Sequence, residues 1–371
     1  MKILYPIGSF YPAQSGGPNN TIYWLTKFLY KKNIITTVIT TNKDINGKVP
    51  LNKMIKSEAG RVMYCKEYFH FLPIRMLIKS FTEVKNHDII HLTSLFYFPS
   101  LLIAFYSRIK GKKIIWSTRG ELEAGAIKYK KNIKKIYLFI IKIILNDNII
   151  FHSTSTEETK NIKKMFQKSD LVEIPNYLEI TKMKNQKLKK QFIFLGRIHP
   201  IKNLEILINA ISTSITFKKS GFKIIIAGDG KTKYIEKLKT MIKVKELQNY
   251  ILFRGFVDLD DKDKILSSSY FLVLPSLSEN FGNVVLESLT QGTPVIASSK
   301  TPWKLLNEYN AGLYIDNTIE NWKNALENTI ALDDYEYKDF RTNAYRLVDE
   351  KFNIEKNIGK WIDIYNKILH E

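Results

Sequence analysis

Cysteine is almost missing from this chain: Cys65 is the single one in 371 residues. One thiol excludes an internal disulfide and any metal site built from cysteines. Long apolar runs are lacking as well. A run such as Ile136 to Ile141 is far shorter than the ~20 residues that a membrane span requires. The opening Met1-Lys2-Ile3-Leu4-Tyr5-Pro6 is too short, and too soon broken by proline, for the apolar core of a secretory signal. It reads as a first strand, and the chain is expected to be cytoplasmic. There is no internal repeat, no low-complexity tail and no G-x-G-x-x-G. Acidic residues are the scarce charge, 36 against 57 Lys and Arg, which leaves a formal +21. Residues 1–180 hold 28 cations and 13 acids, net +15; the remainder holds 29 and 23, net +6. The excess therefore belongs to the first half. It points to an anionic partner there, whether nucleic acid, anionic lipid or a phosphate-bearing substrate, or to the Lys, Ile and Asn usage of an AT-rich genome. Nucleic acid is the weakest of these, because no binding motif is present and the cations are mostly lysines without interleaved aromatics.

What is present is enough chain for two domains of ordinary size, with 44% hydrophobic and 25% charged residues, both globular values. The informative stretch is Tyr270 to Ser298. An apolar run, Phe271 to Leu274, is closed by Pro275 and Ser276 and reads as a buried strand. A polar loop, Leu277 to Gly282, leads into Asn283 to Gln291, whose Val284, Val285, Leu286 and Leu289 have helical spacing before Gly292 ends the helix. Pro294 to Ala297 is the next strand. Strand, loop, helix, strand is one turn of an α/β sheet, which binds ligands at the carboxyl ends of its strands. Two carboxylates stand here eight positions apart, Glu279 in the loop and Glu287 in the helix. With 21 Glu in 371 residues, about one such pair arises by chance, so the spacing says little and the context carries the weight. Backbone N–H groups at a helix N-terminus favour an anion. Glu287, one turn further on, reaches toward a neighbouring hydroxyl. The alternative is an acidic cap followed by a solvated glutamate.

Ser-Glu-Asn-Phe-Gly-Asn-Val-Val-Leu-Glu followed by Gly292-Thr-Pro-Val-Ile-Ala resembles the E-x7-E signature of retaining glycosyltransferases of family 4, also described as glycosyl transferases group 1. That resemblance implies the GT-B fold: two Rossmann-like α/β domains facing a central cleft, with a C-terminal helix crossing back to the first. It implies a nucleoside-diphosphate sugar as donor, a saccharide or lipid-linked hydroxyl as acceptor, and transfer with retention. Polysaccharide or lipopolysaccharide assembly is the setting implied. Phe192 to Gly196-Arg197, then Lys202, resembles the family's G-R-x-x-x-x-K segment. A strand-end glycine followed by Arg197 and Lys202 sets two cations where a diphosphate rests, neutralising the charge that grows on the leaving phosphate. No cofactor or metal is then required. Carried over residue by residue, Glu279 contacts the donor sugar, and Asn280, Phe281 and Gly282 offer backbone N–H groups. Glu287 holds the ribose hydroxyls. Gly255-Phe256-Val257 lies against the base, and Gly16-Gly17 approaches the donor phosphates from the first domain. Two adjacent glycines ahead of a helix let the backbone come close to a ligand, although a plain turn has the same sequence. Thr301-Pro302-Trp303 replaces the G-G-x-x-E of many members, and nothing is carried over there.

The first half reads as strands at Lys2–Tyr5, 34–41, Asp88–Leu92, Lys113–Ser117 and Asn148–His152, with helices at Thr21–Tyr30 and Tyr97–Tyr106. Residues 42–86 have no usable periodicity. His91 reads as a packing residue at a strand end rather than a catalyst. Thr118-Arg119-Gly120-Glu121-Leu122-Glu123 resembles the family's S-P-R-G-E-L variant, in which arginine stands where many members have histidine. Arg119 and Glu121 are the acceptor-side candidates, as cation and hydroxyl acceptor, unless Arg119 is spent on Glu121 or Glu123. Ala126 to Leu145 mixes six lysines with isoleucines, Leu138 and Phe139, a helix suited to an anionic membrane surface or to half-burial. Peripheral contact with the inner face of the cytoplasmic membrane is the corresponding expectation. Asp258-Leu259-Asp260 has the form D-x-D, but it precedes a helix and reads as an N-terminal cap, not a metal site. The expected domains are 1–181, a linker at 182–191, 192–350, and a crossover helix at 351–371. A non-catalytic scaffold of the same fold and a basic nucleic-acid binder are the rival readings; an epimerase or an inverting transferase is the rival within the fold.

Overall fold

The computed structural model describes residues 1–13, 17–45, 49–69, 71–128, 131–144, 148–181, 183–184 and 186–370. The chain divides into two compact units, Met1–Glu179 with Asn353–Glu371, and Ile180–Phe352. In the first, the strands are β1 (Lys2–Ile7), β2 (Ile35–Thr41), β3 (Met54–Ser57), β4 (Gly60–Cys65), β5 (Ile89–Thr93), β6 (Lys113–Ser117), β7 (Ile149–Ser153) and β8 (Leu171–Glu173). Its helices are α1 (Gly17–Lys31), α2 (Ile74–Val84), α3 (Phe98–Ile109), α4 (Ala124–Lys128), α5 (Lys131–Ile144) and α6 (Thr156–Met165). The sheet runs β3-β4-β2-β1-β5-β6-β7-β8, parallel except for the β3–β4 pair. Strands buried on both faces read as near-continuous apolar runs, and β1, β5 and β7 are such runs, broken by His91 and Thr93 in β5 and by His152 and Ser153 in β7. Ile3 and Tyr5 pack to one side of β1, with Ile22, Leu29, Trp361 and Tyr365; Leu4 packs to the other, with Leu92, Trp116 and Phe151. The period of two assigns α1 to the first layer and α2, α3 and α5 to the second.

The second unit carries β9 (Gln191–Leu195), β10 (Lys223–Ala227), β11 (Ile251–Gly255), β12 (Phe271–Leu274), β13 (Val295–Ser298) and β14 (Gly312–Ile315). They form a wholly parallel sheet in the order β11-β10-β9-β12-β13-β14. Around it lie α7 (Leu204–Thr213), α8 (Ile215–Lys219), α9 (Thr232–Val244), α10 (Leu259–Ser267), α11 (Asn283–Thr290), α12 (Leu305–Glu308), α13 (Ile319–Ile330) and α14 (Asp334–Lys351). The last helix, α15 (Ile354–His370), returns to the first unit, where Ile358, Trp361, Tyr365 and Ile368 bury against α1 and β1.

Three stretches differ from the sequence expectation. The unpatterned 42–86 holds β3, β4 and α2. Here β3 is a half-exposed edge of four residues, too short to show a period, whereas α2 carries a helical period, with Met76, Leu77, Ser80 and Val84 inward and Arg75 and Thr82 outward, that the reading of 42–86 overlooked. The basic stretch 126–145 contains two helices, α4 and α5, rather than one. Gln191, assigned to the linker, is the first residue of β9, and the units part after Glu179 and after Phe352.

Candidate active site

Doubly wound sheets open a crevice where the strand order reverses, outside the carboxyl ends of the strands. In the second unit that point lies between β9 and β12. The loop leaving β9 and the loop leaving β12 are joined there, Leu277 N–H donating to the Ile201 carbonyl at 2.8 Å. Lys202 ends a short 3-10 turn, Pro200–Lys202, and its Nζ is bonded to Glu279 Oε1; Ser276 Oγ donates to the same oxygen at 2.7 Å. The two side chains are 18% and 11% exposed, so the pair is largely withdrawn from water. An ammonium has three donors, and this bond uses one of them. The Lys202 and Glu279 picked out in sequence, 77 positions apart, therefore meet in space.

The turn after β9 is fixed by the turn after β10. Gly196 N–H donates to the Ala227 carbonyl at 3.0 Å and Ile198 N–H to the Asp229 carbonyl at 2.7 Å. The approach is close enough that a Cβ on Gly228 would stand 1.8 Å from the Gly196 oxygen. Arg197 is exposed on this turn and makes no ion pair with a described residue. His199, which the sequence analysis passed over, stands between Arg197 and Lys202. Its Nδ1 accepts from Ile201 N–H at 3.3 Å. Partial burial, with Arg197, Lys231 and Lys202 around it, pushes its pKa down, so the ring is held neutral with its proton on Nε2. Three cations thus converge on one turn, against Glu279 and Asp229.

Beyond Glu279, Asn280 Oδ1 is buried with no hydrogen-bond partner among the described residues. Phe281 is buried and its carbonyl accepts from Trp303 Nε1 at 2.5 Å. Gly282 stands at φ 80°, ψ 62° ahead of α11, a left-handed conformation that suits glycine. Trp303, in the segment where the family pattern is lost, is what holds this loop from below. Glu287 on α11 is paired at 2.5 Å with Lys262 on α10, a partner that sequence reasoning missed. Gly255 ends β11 at φ 80°, followed by the exposed Phe256 and the half-buried Val257. Asp258 caps α10, its Oδ1 accepting from Asp261 N–H at 2.9 Å.

In the first unit, Gly16 lies outside the described residues and Gly17 is the first residue of α1. Glu121 accepts from Ser94 Oγ, from Leu95 N–H at 2.5 Å and from Phe96 N–H at 3.0 Å. Burial raises its pKa while these donors pull it back. Its carboxylate shapes the loop after β5. Arg119, at φ 55°, donates Nη1 to Asn176 Oδ1 at 2.8 Å, and its buried Nε has no partner among the described residues. Burial lowers its pKa to about 10. It borders a cavity of about 10 Å³, the size of one water, with Thr21, His152, Asn176 and Trp361.

His91 lies in a buried hydrogen-bond chain whose direction follows from its end. The Ile174 carbonyl only accepts, so His152 Nε2 at 2.8 Å carries the proton. Burial, reinforced by Arg119, pushes the His152 pKa down to about 3. The neutral ring therefore accepts at Nδ1 from Ser117 Oγ at 2.8 Å. Ser117 in turn accepts from His91 Nε2 at 2.8 Å, His91 Nδ1 from the Tyr365 hydroxyl at 2.8 Å, and Tyr365 from the Tyr5 hydroxyl at 2.9 Å. Every group in the chain is used.

Residues 179–347 match the family described as Glycosyl transferases group 1. The chain is 28% identical to the O-antigen chain mannosyltransferase RfbU of Salmonella typhimurium over 48% of each protein. It is 22% identical to the O-antigen chain mannosyltransferase C of Escherichia coli over 100% of this chain and 99% of that one. It spans between 27% and 59% of the length of the first three curated relatives that it matches. Among solved structures, Anabaena HepE in complex with UDP and glucose superposes with a TM-score of 0.73 at 17% identity, over 98% of this chain and 99% of that one. The match to the glycosyl transferases of group 1 thus lies almost wholly within the second unit, and the chain as a whole is built on the GT-B fold.

Proposed function

We propose that the protein transfers a sugar from a nucleoside-diphosphate donor to a hydroxyl of a saccharide or lipid-linked acceptor, in the assembly of envelope polysaccharide or lipopolysaccharide. The observation that carries this reading is the meeting of Lys202 and Glu279 at the β9/β12 switch point, beside Arg197 and the N-terminus of α11. A cation set and a carboxylate within one crevice suit a diphosphate joined to a sugar. Arg197, Lys202 and the α11 terminus neutralise the departing diphosphate, so no metal is needed in this reading. Glu279 and the N–H groups of Asn280, Phe281 and Gly282 contact the donor sugar; Glu287 holds the ribose hydroxyls; Gly255, Phe256 and Val257 border the base. Gly16 and Gly17 serve the donor phosphates, and Arg119 and Glu121 the acceptor side. Because Glu121 already accepts three hydrogen bonds, its part is to shape the loop that meets the acceptor.

Transfer breaks the bond between the anomeric carbon and the β-phosphate oxygen and makes one to the acceptor oxygen. In a retaining course the departing phosphate takes the acceptor's proton; a glycosyl adduct trapped on Glu279 would overturn that step. The relatives named for O-antigen mannosyl transfer and the UDP-bound neighbour support the substrate class. A cytoplasmic location, with the basic 126–145 stretch on an anionic membrane surface, completes the reading; among the described residues no helix is long and apolar enough to cross a membrane. The test is thermal unfolding with UDP, GDP, ADP and their sugars. A ligand at about 100 times its Kd stabilises by ~2.7 kcal/mol. A shift that Glu287→Ala removes, together with turnover of the donor, supports an enzyme; a shift without turnover favours a scaffold, and no shift defeats both.

A further inference from the structure

Helix α11 spends most of its surface on the core: Val285, Leu286, Ser288, Leu289 and Thr290 are buried. Asn283, Val284 and Glu287 stay partly open. Residues three and four apart are neighbours on a helix, so these three form one strip that starts at the helix N-terminus. A glutamate on such a strip ordinarily rotates in water. Glu287 does not. Lys262 Nζ on α10 stands 2.5 Å from its Oε1, and the two side chains are only 18% and 14% exposed. Withdrawal from water makes the pair strict, because either partner alone would be a largely buried charge without compensation.

The lysine fixes one oxygen and leaves the other. Among the described residues nothing donates to Glu287 Oε2, which keeps its capacity as an acceptor. Glu279 is held in the same manner, with Lys202 and Ser276 both on its Oε1. The other charges of α10 have their own uses. Asp258 caps the helix, Lys264 pairs with Asp261 at 2.9 Å, and Arg254 stands 3.9 Å from the same carboxylate. Lys262 is the cation of α10 whose ion pair runs to α11. Its helix begins at Leu259, directly after Gly255-Phe256-Val257 and the Asp258 cap. The pair therefore ties the element that follows the 255–257 turn to the carboxylate of α11.

We propose that Lys262 is a positioning residue that makes the site selective for ribonucleotides: it holds Glu287 by one oxygen so that the other meets the ribose hydroxyls, and a nucleoside diphosphate lacking them is rejected. The inference rests on the transfer reading above, in which Glu287 holds the ribose. A charged acceptor fixed in place is left unpaired by a sugar without hydroxyls, and an unpaired polar group discriminates more strongly than an apolar contact does. A glutamate free to swing into water loses this discrimination, because water takes the place of the missing hydroxyl.

The test is calorimetric titration of the full chain with UDP, GDP and ADP and with the dideoxyribose counterpart of each, which carries the same base and diphosphate. A ribonucleotide that binds is expected to do so at least about tenfold more tightly than its counterpart. Glu287→Ala removes this preference. Lys262→Met lowers it to about threefold or less, with the Kd of the counterpart within about twofold of the parent's, and Lys262→Arg restores it. Lys262→Gln, a neutral donor of similar reach, falls between them and keeps the inference testable if the methionine variant is unstable. Lys264→Met, which breaks an exposed pair on the same helix, leaves the preference unchanged. A pair that served the fold alone would weaken ribonucleotide and counterpart equally when broken. Equal weakening by Lys262→Met, a preference that survives Lys262→Met or Glu287→Ala, or a parent that does not distinguish the two sugars would overturn the inference and leave the transfer reading standing. Binding of none of the nucleotides would remove the transfer reading and the inference with it.

Discussion

The two units place polar groups at equivalent positions and use them in opposite ways. Each is a doubly wound sheet whose strand order reverses once, at β1/β5 in the first unit and at β9/β12 in the second. Around β1/β5 the structure sets Tyr5, His91, Ser117, His152 and Tyr365, all buried, neutral and fully hydrogen-bonded. Around β9/β12 it sets Arg197, Lys202, Lys231 and Glu279, charged, partly open to water, and beside a buried Asn280 oxygen that has no hydrogen-bond partner among the described residues. Satisfied buried networks rigidify and specify a fold. Charged groups in a crevice open to water can exchange that water for a ligand, which a filled buried network cannot, so in the transfer reading the second cluster is the one that meets the donor. In this reading the two histidines at strand ends serve the fold, and the lysine on a short turn is the candidate that the transfer proposal puts to the test.

The sharpest way to break this contrast is Lys202→Met. If the second cluster handles a diphosphate, losing one charge-stabilising donor lowers transfer by about 10²–10³-fold, as for other preorganised donors to a developing anion. Donor turnover and the unfolding midpoint should be measured together. A large loss of stability with turnover nearly intact would place Lys202 among the structural groups and erase the distinction.

The first cluster predicts an acid response. His152 and His91 are held neutral when folded, by burial first, helped by Arg119 for His152 and by His152 and Arg119 for His91. Their unfolded pKa is near 6.5, so below that pH the unfolded state binds more protons and stability falls as pH drops, until the folded value, about 3 for His152, is reached. Between pH 6.5 and 5 the loss is about 1.5–2 kcal/mol for His152, and His91 adds in the same direction. The buried His87, also lowered by burial, adds in the same direction. Denaturant unfolding at each pH measures this slope, and His152→Gln should reduce it; an unchanged slope would mean that the ring is not neutral in the fold. Tyr365→Phe is milder. It leaves His91 Nδ1 without a donor and Tyr5 without an acceptor, for a loss of about 1–2 kcal/mol and no change in donor binding.

How much of this was legible in sequence depends on locality. The strand-loop-helix at 271–290 has its signal within twenty positions, and the loop, the helix and both glutamates lie where the pattern put them. The Asp258 cap is equally local. What joins distant residues was not legible. The Lys262–Glu287 pair, the support of Phe281 by Trp303, and the use of Glu121 by the 94–96 loop each require the sheet order. His199 lay inside a segment already singled out, but its role depends on the charges of Lys231 and Arg197, which only the close β9–β10 turns bring together. The α2 helix failed for a different reason. Its buried positions do recur at helical spacing, Met76, Leu77, Ser80 and Val84 against Arg75 and Thr82 outside, so the signal was local and was overlooked, with the exposed Ile74 and Ile78 blurring its edge.

The smallest expected effect is the most discriminating of all. Ser276 Oγ is bonded to Glu279 Oε1 at 2.7 Å, on the oxygen that Lys202 also holds, and Ser276 itself is fully buried. Ser276→Ala removes one hydrogen bond without removing a charge or leaving a large cavity, and costs about 0.5–1.5 kcal/mol. If Glu279 contacts the donor sugar, freeing its carboxylate on one side changes how the sugar is held while the diphosphate is still gripped by Arg197 and Lys202. The variant should then discriminate less between sugar nucleotides that share a base, and bind the bare nucleoside diphosphate as the parent does. Equal weakening toward the sugar nucleotide and the bare nucleotide would instead mean that Ser276 and Glu279 position Lys202, and that the carboxylate belongs to the support of the cation rather than to the sugar.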